Sequence, residues 1–360
     1  MVMQCGLVGL PNVGKSTLFN ALTESNLAQA ENYPFCTIEP NIASVNVPDS
    51  RLDLLSKAAQ SKSIIPSQIQ FVDIAGLVKG ASKGDGLGNQ FLSHIRQVDV
   101  VVQVVRAFSK DGIIHVHGAV DPLFDMDVIE TELLLADLQS AERQLSKKHK
   151  AIESGKDVKH ILEQALAYLQ SGKLLQSFNW TLQERIILSR LGFLTAKPMI
   201  YLINISEQDL MGKTFPYRDA ILEHANGKPV VWMSTQVECE IAQLSQDDRS
   251  VFLKDLSIDH TGLEHIICQV YRSMGLISFF TVGPKETRSW TVREGAKAPE
   301  AAGCIHSDFE KGFIRAEVIF WEDYVAYHGE YGAKTAGRMA TEGKDYVVRD
   351  GDVMLFRFNV

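Results

Sequence analysis

The chain contains 360 residues, which is too long for one ordinary domain and fits two or three. Hydrophobic residues make up 45% and charged residues 22% of the sequence, which excludes a disordered chain, a collagen and a disulfide-stapled miniprotein. The formal net charge of -8 argues against a protein that coats nucleic acid through bulk charge, so any such partner would need a local basic patch.

The cysteines predict neither a disulfide framework nor a zinc site, because they are odd in number, widely spaced and without a C-x-x-C pair. Reduced thiols indicate a cytoplasmic protein. The first residues lack the basic region of a signal peptide, and the longest apolar runs are strand-sized, so we expect no membrane segment. The five cysteines lie at positions 5, 36, 239, 268 and 304.

Strand and helix patterns alternate through the first part of the chain. Residues 5–9 predict a short apolar strand, and residues 15–23 predict a helix. Continuous apolar strands separated by helices favour an α/β fold with a mostly parallel sheet that is covered on both faces. The other short β-branched runs of this sheet are residues 69–74, 100–105, 199–203 and 229–233.

Residues 9–16 read GLPNVGKS and match the phosphate-binding motif G-x-x-x-x-G-K-[ST]. The motif follows a strand and opens a helix, which is the context that it needs. Its glycines let the backbone wrap phosphates, and the helix N-terminus adds partial positive charge. Lys15 is therefore expected to reach the β- and γ-phosphates, and Ser16 to bind Mg²⁺. The residues of this motif predicted to contact nucleotide are Asn12, Val13, Gly14, Lys15, Ser16 and Thr17.

Three later residues extend the predicted phosphate site. Asp73 ends the strand at 69–74, where a carboxylate can hold the Mg²⁺ shell. The Gly76 N–H is placed to meet a γ-phosphate, and the glycine-rich stretch that follows predicts a lid, with a plain flexible loop as the alternative. Thr37, between the motif and Asp73, is a candidate second hydroxyl on Mg²⁺.

A helical period of 3.6 begins near residue 128 and continues to about residue 191, with a break at Ser154 and Gly155. It predicts an antiparallel helical pair, or short coiled-coil arm, inserted between two sheet strands. Basic residues cluster near its turn, which indicates either a solvated tip or a patch for RNA or an acidic partner. They are Lys147, Lys148, His149, Lys150, Lys156 and Lys159.

The segment after the strand at 199–203 bears on the choice of base. GTP-binding proteins of this layout carry Asn-Lys-x-Asp there, and the carboxylate pairs with the two donors of guanine. Residues 204–207 read NISE instead, so the lysine is missing and the acid is longer by one methylene. The two donors of guanine are therefore not obviously matched, whereas adenine offers an amine donor and a ring acceptor that backbone groups can satisfy. A merely solvated Glu207, and a shifted loop that still accepts guanine, remain the alternatives.

From residue 277 onward, strand patterns at 279–282, 313–320 and 353–358 are punctuated by glycines and predict a small α+β domain. Several blocks of the chain together resemble the YchF/Obg-like ATPase family, which is Obg-related, belongs to the TRAFAC class of P-loop NTPases and has a C-terminal TGS domain. The resemblance covers effectively the whole chain. The blocks that carry it are residues 9–16, 33–40, 73–81, 86–92 and 301–318.

The resemblance implies three parts. They are an OBG-type nucleotide-binding domain at 1–127 and 192–276, a helical coiled-coil arm at 128–191, and a β-grasp TGS domain at 277–360. It also implies a ribosome-associated regulatory ATPase that prefers ATP over GTP. The ribosome, as large subunit or 70S particle, and rRNA are the expected partners of the arm and the TGS domain, and we expect a monomer.

The resemblance further assigns residues to base binding and catalysis. Asn204, Ile205 and Glu207 match the family's base motif, and Ser234 is a candidate for the last base-binding loop. Leu77 replaces the glutamine that orients water in related GTPases, so turnover should be slow. His115 matches a family histidine proposed for that role, with a purely structural histidine as the alternative.

Asn12 matches an asparagine that helps to bind K⁺ in cation-dependent relatives, where the ion can replace the charge of an arginine finger. The alternative is an asparagine that only stabilises a turn. Two other functions remain open at this point: an ordinary translation-factor GTPase, and a nucleotide-switched ribosome- or RNA-binding protein whose hydrolysis is incidental.

Overall fold

The computed structural model divides into two compact units, which are described separately. The first unit comprises the described residues within Met1–Gln29, Thr37–Ser44 and Gln70–Ile266, and the second those within Ala30–Cys36, Val45–Ile69 and Ile267–Val360. The structure describes residues 3–30, 41–74, 86–109, 120–146, 156–212, 215, 217–255, 258 and 260–359.

Strands and helices alternate along most of the chain. The strands are β1 Gln4–Val8, β2 Ile42–Asn46, β3 Ile64–Ile65, β4 Gln68–Asp73, β5 Val100–Arg106, β6 Met199–Asn204, β7 Val230–Met233, β8 Leu276–Val282, β9 Thr287–Arg293, β10 Phe313–Phe320, β11 Ala340–Glu342 and β12 Asp352–Phe358. The helices are α1 Lys15–Ala30, α2 Arg51–Ala59, α3 Gly86–Gln97, α4 Pro122–Ser146, α5 Lys156–Gln170, α6 Leu182–Arg190, α7 Glu207–Gly212, α8 Arg218–Ala225, α9 Thr235–Ala242, α10 Gln246–Asp255, α11 Gly262–Ser273, α12 Ala298–Ile305, α13 Ser307–Lys311, α14 Trp321–Ala326 and α15 Glu330–Thr335, with a 3₁₀ turn at Leu175–Ser177.

The first sheet has the strand order β2-β4-β1-β5-β6-β7. β1 pairs in parallel with β4 and β5, β5 with β6, and β6 with β7. Every residue of β5 and of β6 is buried, as expected for central strands covered on both faces. The predicted α/β fold with a mostly parallel sheet is confirmed.

The helical insertion of the first unit is formed by α4 and α5, which share a hydrophobic cluster with the segment that follows. The helical pattern begins earlier than predicted, at Pro122 rather than near 128. The Asp121 carboxylate accepts a hydrogen bond from the Phe124 N–H at 3.1 Å, and a proline suits the first helical position. Most of the predicted basic tip, residues 147–155, lies outside the described residues.

The second unit contains a mixed sheet with the order β11-β10-β12-β8-β9-β3. The stretch Val45–Ile69 belongs to this unit, whereas the sequence assigned it to the nucleotide-binding domain. Its helix α2 packs Leu55 against Phe280, and Arg51 binds Asp350 at 2.7 Å. Within the described parts of the chain, every helix is too short or too polar to cross a membrane.

Candidate functional site

The loop between β1 and α1 contains the predicted phosphate-binding motif. Gly14 has a φ of +98°, and a Cβ there would lie 2.3 Å from the Asn204 Nδ2. A Cβ on Gly9 would lie 2.7 Å from the Val104 carbonyl oxygen. Gly14 is therefore required by its positive φ and by the Asn204 side chain, and Gly9 by the close approach of the β5 backbone. The tight loop leads directly into the first turn of α1, where free N–H groups favour an anion.

Lys15 and Asp73 meet beside this loop. Because β1 and β4 are parallel, with Leu7 opposite Asp73, both strands end at the same edge of the sheet. The Lys15 Nζ donates a hydrogen bond to the Asp73 Oδ1, and both side chains are mostly buried. Ser16 is exposed one residue further on. Ammonium, carboxylate and hydroxyl groups in this arrangement suit a phosphate chain together with a divalent cation that prefers oxygen ligands.

Asn204 connects three segments around the loop. Its side chain is 2% exposed. The Nδ2 donates to the Val13 carbonyl at 2.9 Å, and the Oδ1 accepts from the Thr235 N–H at 3.1 Å. The amide thus fixes the phosphate loop to the end of β6 and to the start of α9. Val13 takes part through its carbonyl.

The residues after Asn204 form a short loop at the edge of the sheet. Ile205 is buried, and its N–H donates to the Met233 carbonyl at 2.9 Å. Ser206 accepts from the Asp209 N–H at 3.1 Å, which begins α7. Glu207 is exposed at the first position of that helix. Ser234 is buried and caps α9 by accepting from a backbone N–H of its first turn, at 3.5 Å.

These segments surround one cavity of about 840 Å³, within the range of small-molecule sites. The structure therefore brings together most of the residues that the sequence predicted. Asp73 joins them through its bond to Lys15. The lining residues are Leu10, Pro11, Asn12, Gly14, Lys15, Ser16, Thr17, Phe108, Ser109, Asn204, Ile205, Ser206, Glu207, Ser234, Thr235, Gln236 and Val237.

The sequence did not predict the contribution of two lining segments, Phe108–Ser109 and Thr235–Val237. Phe108 follows β5, the strand between β1 and β6, and Thr235 opens α9 after β7. Ligands of open parallel sheets bind beyond the carboxyl ends of the strands. That rule, applied to every predicted strand end, would have indicated both segments.

Three predicted site residues lie outside the described residues: Thr37, Gly76 and His115. The stretch from Leu77 to Asp85 lies outside them too. The proposed contributions of these residues stay predictions.

Glu238 is a buried residue of α9 that follows the lining segment Thr235–Val237. Its carboxylate accepts from the Gly262 N–H at 2.7 Å and from the Leu263 N–H at 3.2 Å, which ties α9 to the start of α11. Burial raises the pKa of Glu238 to about 7, although both hydrogen bonds lower it. This carboxyl group therefore gains or loses its proton near neutral pH.

A second cluster of titratable groups joins α4 to α8. Asp127, Glu130 and His224 stand within metal-ligating distance of one another, the one such group among the residues that the structure describes. Glu130 accepts from the Lys228 Nζ at 2.6 Å and from the Tyr201 hydroxyl. Glu130 is thus already paired within the protein, with Lys228 shortly after α8.

Two family models match parts of the chain. A family model described as 50S ribosome-binding GTPase matches residues 4–136. A second one, YchF-GTPase_C, described as a protein of unknown function, matches residues 276–359.

Full-length relatives match as well. The chain is 49% identical to the ribosome-binding ATPase YchF of Escherichia coli O157:H7 and 47% identical to that of Bacillus subtilis strain 168, with 100% of both chains covered in each case. Among solved structures, the YchF GTPase of Schizosaccharomyces pombe has a TM-score of 0.88 and 40% identity, covering 99% of this chain and 97% of that one. The similarity extends over both units and the helical insertion.

Proposed function

This chain belongs to the YchF family, and we propose that it is a ribosome-associated regulatory P-loop NTPase that hydrolyses ATP, in preference to GTP, to ADP and phosphate with Mg²⁺. The observation that carries the proposal is that one cavity has the phosphate motif on one side and Asn204–Glu207 on the other. The names of the bacterial relatives, which are ribosome-binding ATPases, support it.

On the phosphate side, Lys15 and the backbone N–H groups of the loop would offset the charge of the β- and γ-phosphates. Ser16, Asp73 and Thr37 would hold Mg²⁺, which neutralises charge on the phosphate oxygens when bound. The pairing of Lys15 with Asp73 supports this, because it places the phosphate-binding ammonium and the metal-binding carboxylate side by side. Asn12, which has a φ of +64° in the same loop, is the candidate ligand for K⁺.

On the base side, Asn204, Ile205 and Glu207 would receive adenine, with Ser234 holding the last loop. The buried Ile205 occupies the position where GTP-binding proteins carry a lysine. A buried apolar side chain cannot replace that lysine, and the exposed Glu207 is not fixed for the paired donors of guanine. This combination favours adenine over guanine.

Catalysis would rest on Lys15 for charge and on His115 for orientation of the attacking water. A hydrolysis step requires water in line with the bond to the γ-phosphorus. Leu77 cannot orient water, and no arginine finger is identifiable in the sequence, so we expect slow intrinsic turnover.

The inserted arm, at 128–191, and the C-terminal TGS domain, at 277–360, would contact the ribosome and rRNA. A ribosome-associated role would place the protein in the cytoplasm, and we propose that it acts as a monomer. Within this division, Val45–Ile69 accompanies the C-terminal domain, since it lies in the same compact unit.

Phosphate release from ATP and from GTP, measured side by side, tests the reaction. We expect faster release from ATP. Faster release from GTP would favour the second candidate, an ordinary GTPase, which the names of the family model and of the fission-yeast relative support.

Co-sedimentation with ribosomes in ATP, in ADP and without nucleotide tests whether nucleotide binding controls ribosome binding. We expect the ribosome-bound fraction to depend on the nucleotide. Ribosome binding that ignores the nucleotide would argue against a switch, and binding that changes without hydrolysis would favour the third candidate, in which hydrolysis is incidental.

A further inference from the structure

Asp137 is a fully buried carboxylate in α4, the first helix of the inserted arm. Its Oδ1 accepts from the Leu194 N–H at 2.9 Å, and its Oδ2 accepts from both the N–H and the hydroxyl of Thr195 at 2.7 Å. Burial raises the pKa of Asp137 to about 6, although these hydrogen bonds lower it. A carboxylate leaves water only where donors replace its hydration. Asp137 therefore fixes α4 to the segment that leads from the arm back to the sheet.

Thr195 is bonded to a second part of the arm. Its carbonyl accepts from the Gln176 N–H at 2.8 Å, and its hydroxyl accepts from the Leu175 N–H at 3.4 Å. Leu175 and Gln176 belong to the 3₁₀ turn that comes after α5. Residues 194 and 195 are thus attached to the arm in two places before β6 begins at Met199.

Lys197, two residues further on, binds a different helix. Its Nζ donates to the Ile95 carbonyl at 2.9 Å, to the Arg96 carbonyl at 2.8 Å and to the Val98 carbonyl. These carbonyls lie at the C-terminal end of α3, where the last turn of a helix has no partners of its own for them. Burial lowers the pKa of Lys197 to about 8, so its amino group is still protonated at neutral pH. A positive charge there also suits the helix dipole, and Lys197 therefore caps α3.

The helix α3 follows the phosphate end of the cavity in the chain. Asp73, which pairs with Lys15, ends β4, and α3 begins at Gly86. Between them lies Gly76, the predicted contact of the γ-phosphate. Loss of the γ-phosphate on hydrolysis would therefore act first on the stretch that leads into α3.

We infer that residues 194–197, which we call the coupling segment, transmit the state of the bound nucleotide from α3 to the helical arm. The inference rests on the proposed function, since it concerns how the proposed ATP site regulates the ribosome contact of the arm. A displacement of the C-terminal end of α3 either carries the coupling segment with it or breaks the hydrogen bonds of the half-buried Lys197 ammonium group. Packed elements shift between discrete arrangements rather than deforming continuously. Because Asp137 bonds the same segment to α4, the arm follows α3.

The test uses the full chain with Mg²⁺ and measures ribosome affinity with a non-hydrolysable ATP analogue and with ADP. The ratio of the two affinities should be at least about fivefold in the wild type, the lower end of the usual coupling between two sites. Lys197→Met keeps an unbranched side chain but removes the ammonium group, and it should bring the ratio to within about twofold of one. ATP affinity without ribosomes should stay within about twofold of the wild-type value, because Lys197 does not line the cavity.

Thermodynamic linkage supplies a second readout. Ribosomes must change the preference of the protein between the ATP analogue and ADP by the same factor by which the nucleotides change ribosome affinity. Nucleotide titrations with and without ribosomes should show this factor in the wild type and its loss in Lys197→Met. A lysine that only stabilised the fold would leave the factor unchanged in protein that remains folded.

Lys228→Met is the matched control. The Lys228 Nζ is also mostly buried, and it donates to the Glu130 carboxylate of α4 at 2.6 Å and to the Tyr201 hydroxyl of β6 at 2.9 Å. These bonds join the arm to the sheet rather than to α3. Lys228→Met should therefore lower thermal stability without changing the ratio of ribosome affinities.

Asp137→Asn tests the attachment of the coupling segment to the arm. An amide accepts only through its oxygen, so its NH₂ group would face the donors of Thr195, and the ratio should fall as in Lys197→Met. If either variant fails to fold, Thr195→Val replaces it. This change removes only the hydroxyl bond to Asp137 and should lower the ratio by a smaller factor.

A wild-type ratio in folded Lys197→Met or in folded Asp137→Asn would overturn the inference, and so would an equal loss of the ratio in Lys228→Met. Wild-type protein that binds ribosomes equally well with both nucleotides is a separate result. It would overturn the nucleotide switch of the proposed function and, with it, the coupling.

Discussion

The two ends of the cavity are built in different ways. The phosphate end comes from one continuous stretch, Asn12 to Thr17, completed by Asp73 on a neighbouring strand. The base end is assembled from loops after β5, β6 and β7, which are far apart in the chain. The phosphate end therefore depends on local backbone geometry, and the base end depends on long-range packing. Substitutions at the two ends should distinguish the effect of local backbone geometry from that of long-range packing.

Lys15→Ala should have the largest effect, because it removes the one charged side chain of the phosphate motif. We expect ATP hydrolysis to fall by about 10²- to 10³-fold, the usual cost of losing a group that stabilises developing charge. Phosphate release at saturating ATP measures it. Lys285→Ala, which changes an exposed lysine in the second unit, is the control and should hydrolyse ATP normally. Normal hydrolysis by Lys15→Ala would remove the phosphate motif from the mechanism.

Gly14→Ala tests the backbone geometry of the phosphate end. The added Cβ would meet Asn204 at 2.3 Å and would require a φ of +98° from alanine. We expect a loss of roughly 3 to 4 kcal/mol in unfolding free energy, measured by denaturant titration.

Gly172→Ala separates the two causes. Gly172 has a φ of +77° with nothing within 4 Å of an added Cβ, so only the dihedral cost of about 1 kcal/mol remains. Equal losses in the two variants would mean that close approach to Asn204 does not matter.

Glu238 gives the base end a dependence on pH. Its pKa is raised from 4.5 to about 7 in the folded protein, so the folded state holds the proton more tightly than the unfolded chain. This contribution, of roughly 3 kcal/mol, is fully present below about pH 4.5 and is lost as pH rises through about 7. Glu238→Gln should therefore flatten the fall in unfolding free energy across that range.

The measurement is the urea midpoint of both proteins at several pH values across that window. Glu240→Gln changes an exposed carboxylate on the same helix and should leave the pH profile as it is in the wild type. If the urea midpoint of Glu238→Gln depended on pH as it does in the wild type, another group would be responsible for the loss of stability with rising pH.

Asn204→Asp should have a smaller effect, because it changes the side chain that links the phosphate end of the cavity to the base end. The carboxylate can still accept from the Thr235 N–H, but it cannot donate to the Val13 carbonyl. A lost buried hydrogen bond of this kind costs about 2 kcal/mol. We expect weaker binding of ATP in a direct titration, with Asn226→Asp at the exposed end of α8 as the control. Equal ATP affinity of Asn204→Asp and Asn226→Asp would contradict a role of Asn204 in linking the phosphate end to the base end.

How far the sequence predicts the site follows from this difference. The residues of the phosphate loop and Asp73 were predictable, because their spacing and their position after strands are local features. Phe108 and Thr235 were not predicted, since their contribution arises only when strands distant in the chain lie side by side.

The fold shows the same pattern. The parallel strands and the helical pair were predicted from hydrophobic periodicity. Val45–Ile69 was assigned to the nucleotide-binding domain because it lies between two of that domain's predicted segments. Its two-residue strand β3 pairs with β9, more than 200 residues later, and α2 packs on the second sheet. Such pairings leave no local signal in a short strand.

The most direct test of the central claim is the equilibrium affinity of the wild-type protein for ATP and for GTP, titrated side by side with Mg²⁺ present. A base end with the buried Ile205 and an unfixed Glu207 predicts that ATP binds at least about tenfold more tightly than GTP. GTP affinity equal to or greater than ATP affinity would contradict the assignment of this cavity to adenine.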